Sequence, residues 1–194
     1  NPSSGSIYLT QFTMSSSVAH HHLLFDCLWV NSGIVVTTTT AQTINSVAFP
    51  ARDVNGSTNG EGVMVGILVT TATTNAGAIT NTTMSYTNSD GTAGRTATIA
   101  SFPATAVIGT VVWFQLAAGD RGVRSIQTVT LGTSYGGGAI SLIAVRWLSS
   151  VPMQVANLGA AAFGANAQNP GVRLYSGTCM LTAYIASATT ATNS

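Results

Sequence analysis

Side chains able to do chemistry are few and scattered in this chain. Gly132-Thr133-Ser134-Tyr135-Gly136 has the spacing of a G-x-S-x-G nucleophile elbow, in which a serine sits on a sharp strand-to-helix turn. Here Gly137-Gly138 and another strand-like run follow, so the helix the elbow requires is not encoded. Three adjacent histidines and four aspartates leave few ways to assemble a base and an acid to orient it. No catalytic residue is assigned. His20-His21-His22 could bind a metal, but neighbours on a strand point to opposite faces, so at most His20 and His22 could share one ion. No carboxylate or thiolate stands at a set spacing from them. The reading adopted is two polar edge positions and one inner histidine, with no metal and no cofactor.

Cys27 and Cys179 are the only thiols, one near each end of the chain. They either form a disulfide that staples terminal strands or links subunits, or remain two thiols that pack as small hydrophobes. Asn55-Gly56-Ser57 and Asn81-Thr82-Thr83 are glycosylation sequons, meaningful only on a eukaryotic secretory route. Among the aromatics, Trp113 and Trp147 lie in the most apolar runs and read as core, whereas Trp29 and Tyr135 are the better candidates for exposure.

Composition sets the class of protein these residues belong to. Charged residues are 6% of the 194, against about 25% in an ordinary soluble domain, and there is no lysine. A surface so poor in charge has little repulsion to keep copies apart, so association is the expected state. A net charge of +1 with six scattered arginines gives no basic patch for counterion release, which argues against nucleic acid as a partner. No apolar run reaches the roughly 18 to 20 residues of a membrane-spanning helix, and no charged n-region with an apolar h-region opens the chain, so no membrane partner is expected. The length suffices to bury roughly 70% of the unfolded surface.

The elements that must position these side chains read as strands. Val107 to Leu116 and Ala139 to Trp147 are long apolar runs, and between them Val123 to Leu131 is rich in β-branched residues. Val123, Val129 and Leu131 share a face under strict alternation while Ile126 falls on the other; of the two explanations, both faces covered or a bulge, the first is favoured. Further strands are expected at Ile7 to Phe12, from Val18 to Val30 (strand or short helix), Ile34 to Thr40, Ile44 to Phe49 and Val63 to Thr71. Thr82 to Thr87 and Thr96 to Ile99 form a hairpin candidate around Asp90-Gly91. Val151 to Gln168 is Ala/Gly-rich and reads as loop with one short helix, and strand character returns from Val172 to Ile185. About nine or ten short strands without an amphipathic helix indicate an all-β fold, a β-sandwich or jelly-roll-like body with extended terminal arms. The expected division is an N-terminal arm over 1–17, a body over 18–150 and a C-terminal extension with one or two strands over 151–194.

Leu24 to Ile34, Pro50 to Asp53 with Asn59 to Val63, Ser85 to Ala97 and Ala118 to Gln127 resemble successive blocks of a group of tailed-bacteriophage virion structural proteins. The resemblance spans roughly residues 20 to 147. In that group an arginine is expected after the aspartate of the first block; here Cys27 follows Asp26. The resemblance implies a non-enzymatic virion component located on the phage particle, a capsid decoration or cement protein on the outer head surface. Its partners would be copies of itself, as a homo-oligomer such as a trimer, and the major capsid protein or other virion proteins. The alternatives are a carbohydrate- or receptor-binding module of a tail or surface appendage, and a shell- or tail-forming subunit. In an assembled particle Arg52, Arg95, Arg121, Arg124, Arg146 and Arg173 would be interface anchors to carbonyls or to the few acids. The plainer expectation is local turn pairing, Asp53 with Arg52, Asp90 with Arg95 and Asp120 with Arg121.

Overall fold

A computed structural model describes residues 5–44, 47–163 and 171–186, and over these the chain is all-β with no helix. It divides into two compact units, Cys27–Arg146 and Asn1–Asp26 with Trp147–Ser194. Two long strands, β3 (His20–Asn31) and β10 (Ala139–Met153), supply residues to both.

Within Cys27–Arg146 the remaining strands are β4 (Gln42–Thr43), β5 (Val63–Thr71), β6 (Ile79–Asn88), β7 (Arg95–Phe102), β8 (Val111–Trp113) and β9 (Val123–Thr130). They form two sheets, ordered β3-β10-β5-β8 and β4-β9-β6-β7. Apart from the β6–β7 hairpin, the chain changes sheet at every connection, which winds these eight strands as a jelly roll. One core fills the space between the sheets, with Val63, Val65, Ile67 and Val69 of β5 and Ile140, Leu142 and Ala144 of β10 packed with Met84, Tyr86, Ile99, Ile126 and Val129. The alternation of β5 matches its place, since every second residue enters that core. β10 is buried continuously from Ile140 to Arg146, as an inner strand covered on both faces should be.

β9 departs from the favoured expectation. Its register against β6 slips twice, Ser85 facing Thr128 while Tyr86 faces Ile126, and Thr87 facing Ser125 while Asn88 faces Val123. Gln127 and Arg124 are therefore bulged out of the ladder, and Val123, Ile126 and Val129, spaced by three, all reach one core. Neither face needs a second cover. The β-branched run Ile34 to Thr40 is not a strand at all. Gln42 closes it as a loop: its Oε1 accepts from the Val35 amide at 2.8 Å, and its Nε2 donates to the Val35 and Thr38 carbonyls at 3.0 and 3.3 Å. Backbone groups satisfied in this way have no need of a strand partner. The expected strand from Ile44 to Phe49 shortens to β4 just before it, and residues 45 and 46 lie outside the described residues.

The second unit is built from strands near both ends of the chain. β1 (Ile7–Leu9) pairs with β12 (Val172–Leu174), and β2 (Gln11–Met14) pairs with β11 (Ala160–Phe163). The two terminal segments are thus each other's partners. β13 (Met180–Ala186) runs antiparallel to the first half of β3, from Met180 opposite Asp26 to Ala186 opposite His20. The Ala/Gly-rich stretch after Trp147 holds the end of β10 and β11 rather than a helix, while residues 164–170 lie outside the described residues.

Candidate functional site

The jelly-roll winding sends the connections of the Cys27–Arg146 unit to two ends. Residues 47–62, 89–94 and 114–122 meet at one, where the Gly62 amide donates to the Arg121 carbonyl at 2.9 Å and the Ser89 amide to the Gly122 carbonyl at 3.1 Å. The approach is close enough to require glycine. A Cβ on Gly60 would lie 2.0 Å from the Val123 carbonyl oxygen, and one on Gly122 would lie 2.0 Å from that of Gly60.

Nearly all the charge of the chain collects there. Of eleven charged residues, only Asp26, Arg146 and Arg173 lie elsewhere. Asp53 is buried and its carboxylate organises the loop around it. Oδ1 accepts from the amides of Asn55 at 2.9 Å and Ser57 at 2.7 Å, and Oδ2 from the Ser57 hydroxyl and the amides of Gly60 and Glu61. Burial pushes this carboxyl up, but the donors from Ser57, Glu61 and Asn55 outweigh it and hold the group below its usual value. Asp120 is held from three sides. Arg95 Nε donates to it at 2.9 Å, Asn88 Nδ2 at 2.8 Å, and the Tyr86 hydroxyl makes a further, short hydrogen bond. Arg95, then Tyr86 and Asn88, bring the Asp120 carboxyl down to about 2. Burial, reinforced by the bond to Asp120, pushes the Tyr86 phenol up.

These carboxylates are fixed as anions with their lone pairs occupied, so neither is poised to pass a proton. Their geometry is that of a clamp. The pairing is also not the local one expected from sequence: Asp120 takes Arg95, while Arg121 lies 3.5 Å from both Glu61 and Asp90. The strand ends and loops at this end bring residues distant in sequence together, and those take the places that sequence neighbours were expected to fill. Arg52 turns instead to the Cys27 carbonyl at 2.8 Å. The exposed charges left at this end are Arg121, Arg124 and Asp90.

The opposite end, made by residues 32–41, 72–78, 103–110 and 131–138, contains no charged residue. Backbone bonds tie it together: Tyr135 N–H to the Val36 carbonyl at 2.8 Å, Thr73 N–H to Ala106 and Thr105 N–H to Asn75. At its tip Val107 to Thr110 form a tight turn, with Gly109 at φ +86°, pinned by two bonds to the backbone of Val69. That frame holds Val107 65% and Ile108 70% exposed. Val35 is exposed at the same end.

Two aromatics are placed against expectation. Tyr135 is fully buried, its hydroxyl 2.9 Å from Thr82 Oγ1, and burial pushes its phenol up to about 12. Trp147 is 43% exposed, because it stands at an outward position of β10 with its ring edge-on to Phe25. Ser134 lies in the connection to β10, where its hydroxyl accepts from the Gly136 amide at 3.1 Å, and a strand follows it.

Among the proposed anchors, Arg146 must be withdrawn from the surface. It is 2% exposed in the middle of β10, so it cannot reach a partner subunit. Arg95 is spent on Asp120, and Arg173 lies over its own Tyr175 ring at 5.0 Å. The disulfide is not formed, Cys27 being half-buried and Cys179 exposed. A buried carboxylate makes the tie that the sulfurs do not: Asp26 accepts from the Cys179 amide at 3.0 Å and the Thr178 hydroxyl at 3.3 Å, fastening the start of β13. The roles of Asp53 and Asp120 were missed. The alternation Asp53, Asn55, Ser57, Asn59, Glu61 was a signal for the first, since it marks a loop folded about its leading carboxylate. For Asp120 no local signal exists. Comparison of the chain with family models, with curated proteins and with solved structures finds no match.

Proposed function

We propose that this chain is a non-enzymatic structural component of a bacteriophage virion, a decoration or cement protein that sits on the head shell and bridges its subunits. The observation that carries the reading is the uncharged end of the jelly roll, where a hydrogen-bonded frame holds Val107 and Ile108 out to solvent. Isolated exposed apolar residues are ordinary, but a pair fixed on a rigid turn, in loops without a single charge, is a contact surface. The other unit adds exposed Phe163, Tyr184 and Ile185. Jelly rolls recur in capsid domains and in lectins, so the winding is compatible with the reading and does not select it. The charged end supports it from the other side, since Asp53 and Asp120 are consumed in clamping loops. Burial of such surface across subunit junctions stabilises a shell by about 25 cal/mol per Å² of apolar area, multiplied over many copies.

A carbohydrate- or receptor-binding module is the second reading, favoured by the exposed Trp147 ring. Mass-resolved size analysis of the chain, alone and mixed with empty phage shells, followed by imaging of what co-migrates, separates the two. Discrete oligomers that decorate shells at fixed sites are expected. A soluble monomer that ignores shells would sink the cement reading and direct the work to glycan screening.

A further inference from the structure

β3 places His20 and His22 on one face, as residues two apart on a strand must be. Their rings meet edge to face with centroids 4.2 Å apart. Tyr184, in register opposite His22 on β13, packs against both rings at 5.6 and 6.4 Å and fixes them in place. His20 Nδ1 lies 2.7 Å from the Val18 carbonyl oxygen. That contact assigns the proton to Nδ1, which donates, and leaves the lone pair on Nε2. A backbone carbonyl orienting an imidazole through one nitrogen, so that the other can ligate, is the usual outer-sphere arrangement of metal-bound histidine.

His20 Nε2 and His22 Nδ1 are both enclosed and meet no hydrogen-bond partner among the described residues. Enclosed polar atoms in that condition are rare and call for an explanation, a bound ion being one. We propose that His20 and His22 form a two-imidazole site for a borderline divalent transition metal, Zn²⁺, Ni²⁺ or Cu²⁺. Two nitrogen donors and no carboxylate exclude the hard cations Ca²⁺ and Mg²⁺ as its ligands. No third His, Cys, Asp or Glu joins the pair among the described residues, so the site is not the closed tetrahedron of a structural zinc. His21 Nε2 is also enclosed, but its ring belongs to the opposite strand face and takes no part.

The test is calorimetric titration of ZnCl₂ into the full chain near neutral pH, repeated with His20→Ala, His22→Ala and His21→Ala, each checked for retained β circular dichroism. One zinc per chain is expected, weakened ~10-fold or more by loss of either His20 or His22 and unchanged by loss of His21. Failure of the wild-type chain to take up zinc overturns the proposal, whatever the variants do. So does an equal loss from His21→Ala, the signature of three flexible histidines chelating without a strand face to sort them.

Discussion

At the scale of single residues, the chain spends its few acids on geometry. Asp53 folds one loop around its carboxylate, Asp120 pins Tyr86, Asn88 and Arg95, and Asp26 fastens β13. Stability should therefore respond to acid through a small number of groups. The folded-state value of Asp120, about 2, lies below the 3.8 of an unperturbed aspartate, and Asp53 is displaced in the same direction. A lowered folded-state pKa means that the unfolded chain takes up protons first, so the contribution is complete above about pH 4 and is lost as the pH falls toward 2. Thermal melts across that window should show the midpoint level at neutral pH and dropping below about pH 4. Asp120→Asn should lower the midpoint at neutral pH and flatten the fall. An unchanged acid limb in that variant would show that Asp120 is not the group being titrated.

At the scale of elements, β9 shows how a strand can feed a core with residues three apart. Its two bulges correct the phase at Gln127 and Arg124, and the first is fixed by specific bonds. Gln127 Nε2 reaches Thr87 Oγ1 at 3.1 Å and Ser125 Oγ at 3.0 Å, while its carbonyl accepts from the Ile44 amide at 2.8 Å. Deleting Gln127 closes that bulge and leaves Thr128 opposite Ser85 and Ile126 opposite Tyr86 in an unbroken ladder, so Ile126 and Val123 stay in the core. The deletion should therefore cost only the hydrogen bonds Gln127 makes, about 1 kcal/mol each, and leave unfolding in urea cooperative. Gln127→Ala keeps the residue count and should cost only about 1 kcal/mol. If the deletion abolishes cooperative unfolding while the substitution does not, the register does not tolerate closing the bulge and Gln127 is needed to keep Ile126 and Val123 inward.

At the scale of the molecule, the distribution of charge matters more than its sum. The Cys27–Arg146 unit gathers its ions at one end and leaves the loops of the other without any. Association through the uncharged end should rise with protein concentration and respond little to salt, since no exposed ion pair is formed or screened there. Ile108→Asp tests this directly. At 70% exposure the side chain contributes little to folding, so stability should stay within about 0.5 kcal/mol while sedimentation shifts toward the monomer. Association unchanged by that variant would exonerate the tip and move attention to the exposed residues of the other unit.

The sequence by itself determined the fold class and much of the strand inventory. β5 falls where Val63 to Thr71 predicts it, and the β6–β7 hairpin brackets Asp90-Gly91. The run before Trp147 is an inner strand, as its apolar faces require, and Ser134 leads into a strand as Gly136-Gly137-Gly138 implies. All of these rest on local properties, β-branching, alternation and turn residues, which act within a few positions along the chain. What the tertiary structure alone decided is everything that depends on a distant partner. It chose Arg95 over Arg121 for Asp120, buried Tyr135 while leaving Trp147 out, and denied Ile34 to Thr40 a strand by giving its backbone to Gln42. It also paired the two terminal segments and slipped β9 by two residues. Register and ion pairing are settled between segments tens of residues apart, where one residue of slip exchanges inside for outside, and no single segment carries that information.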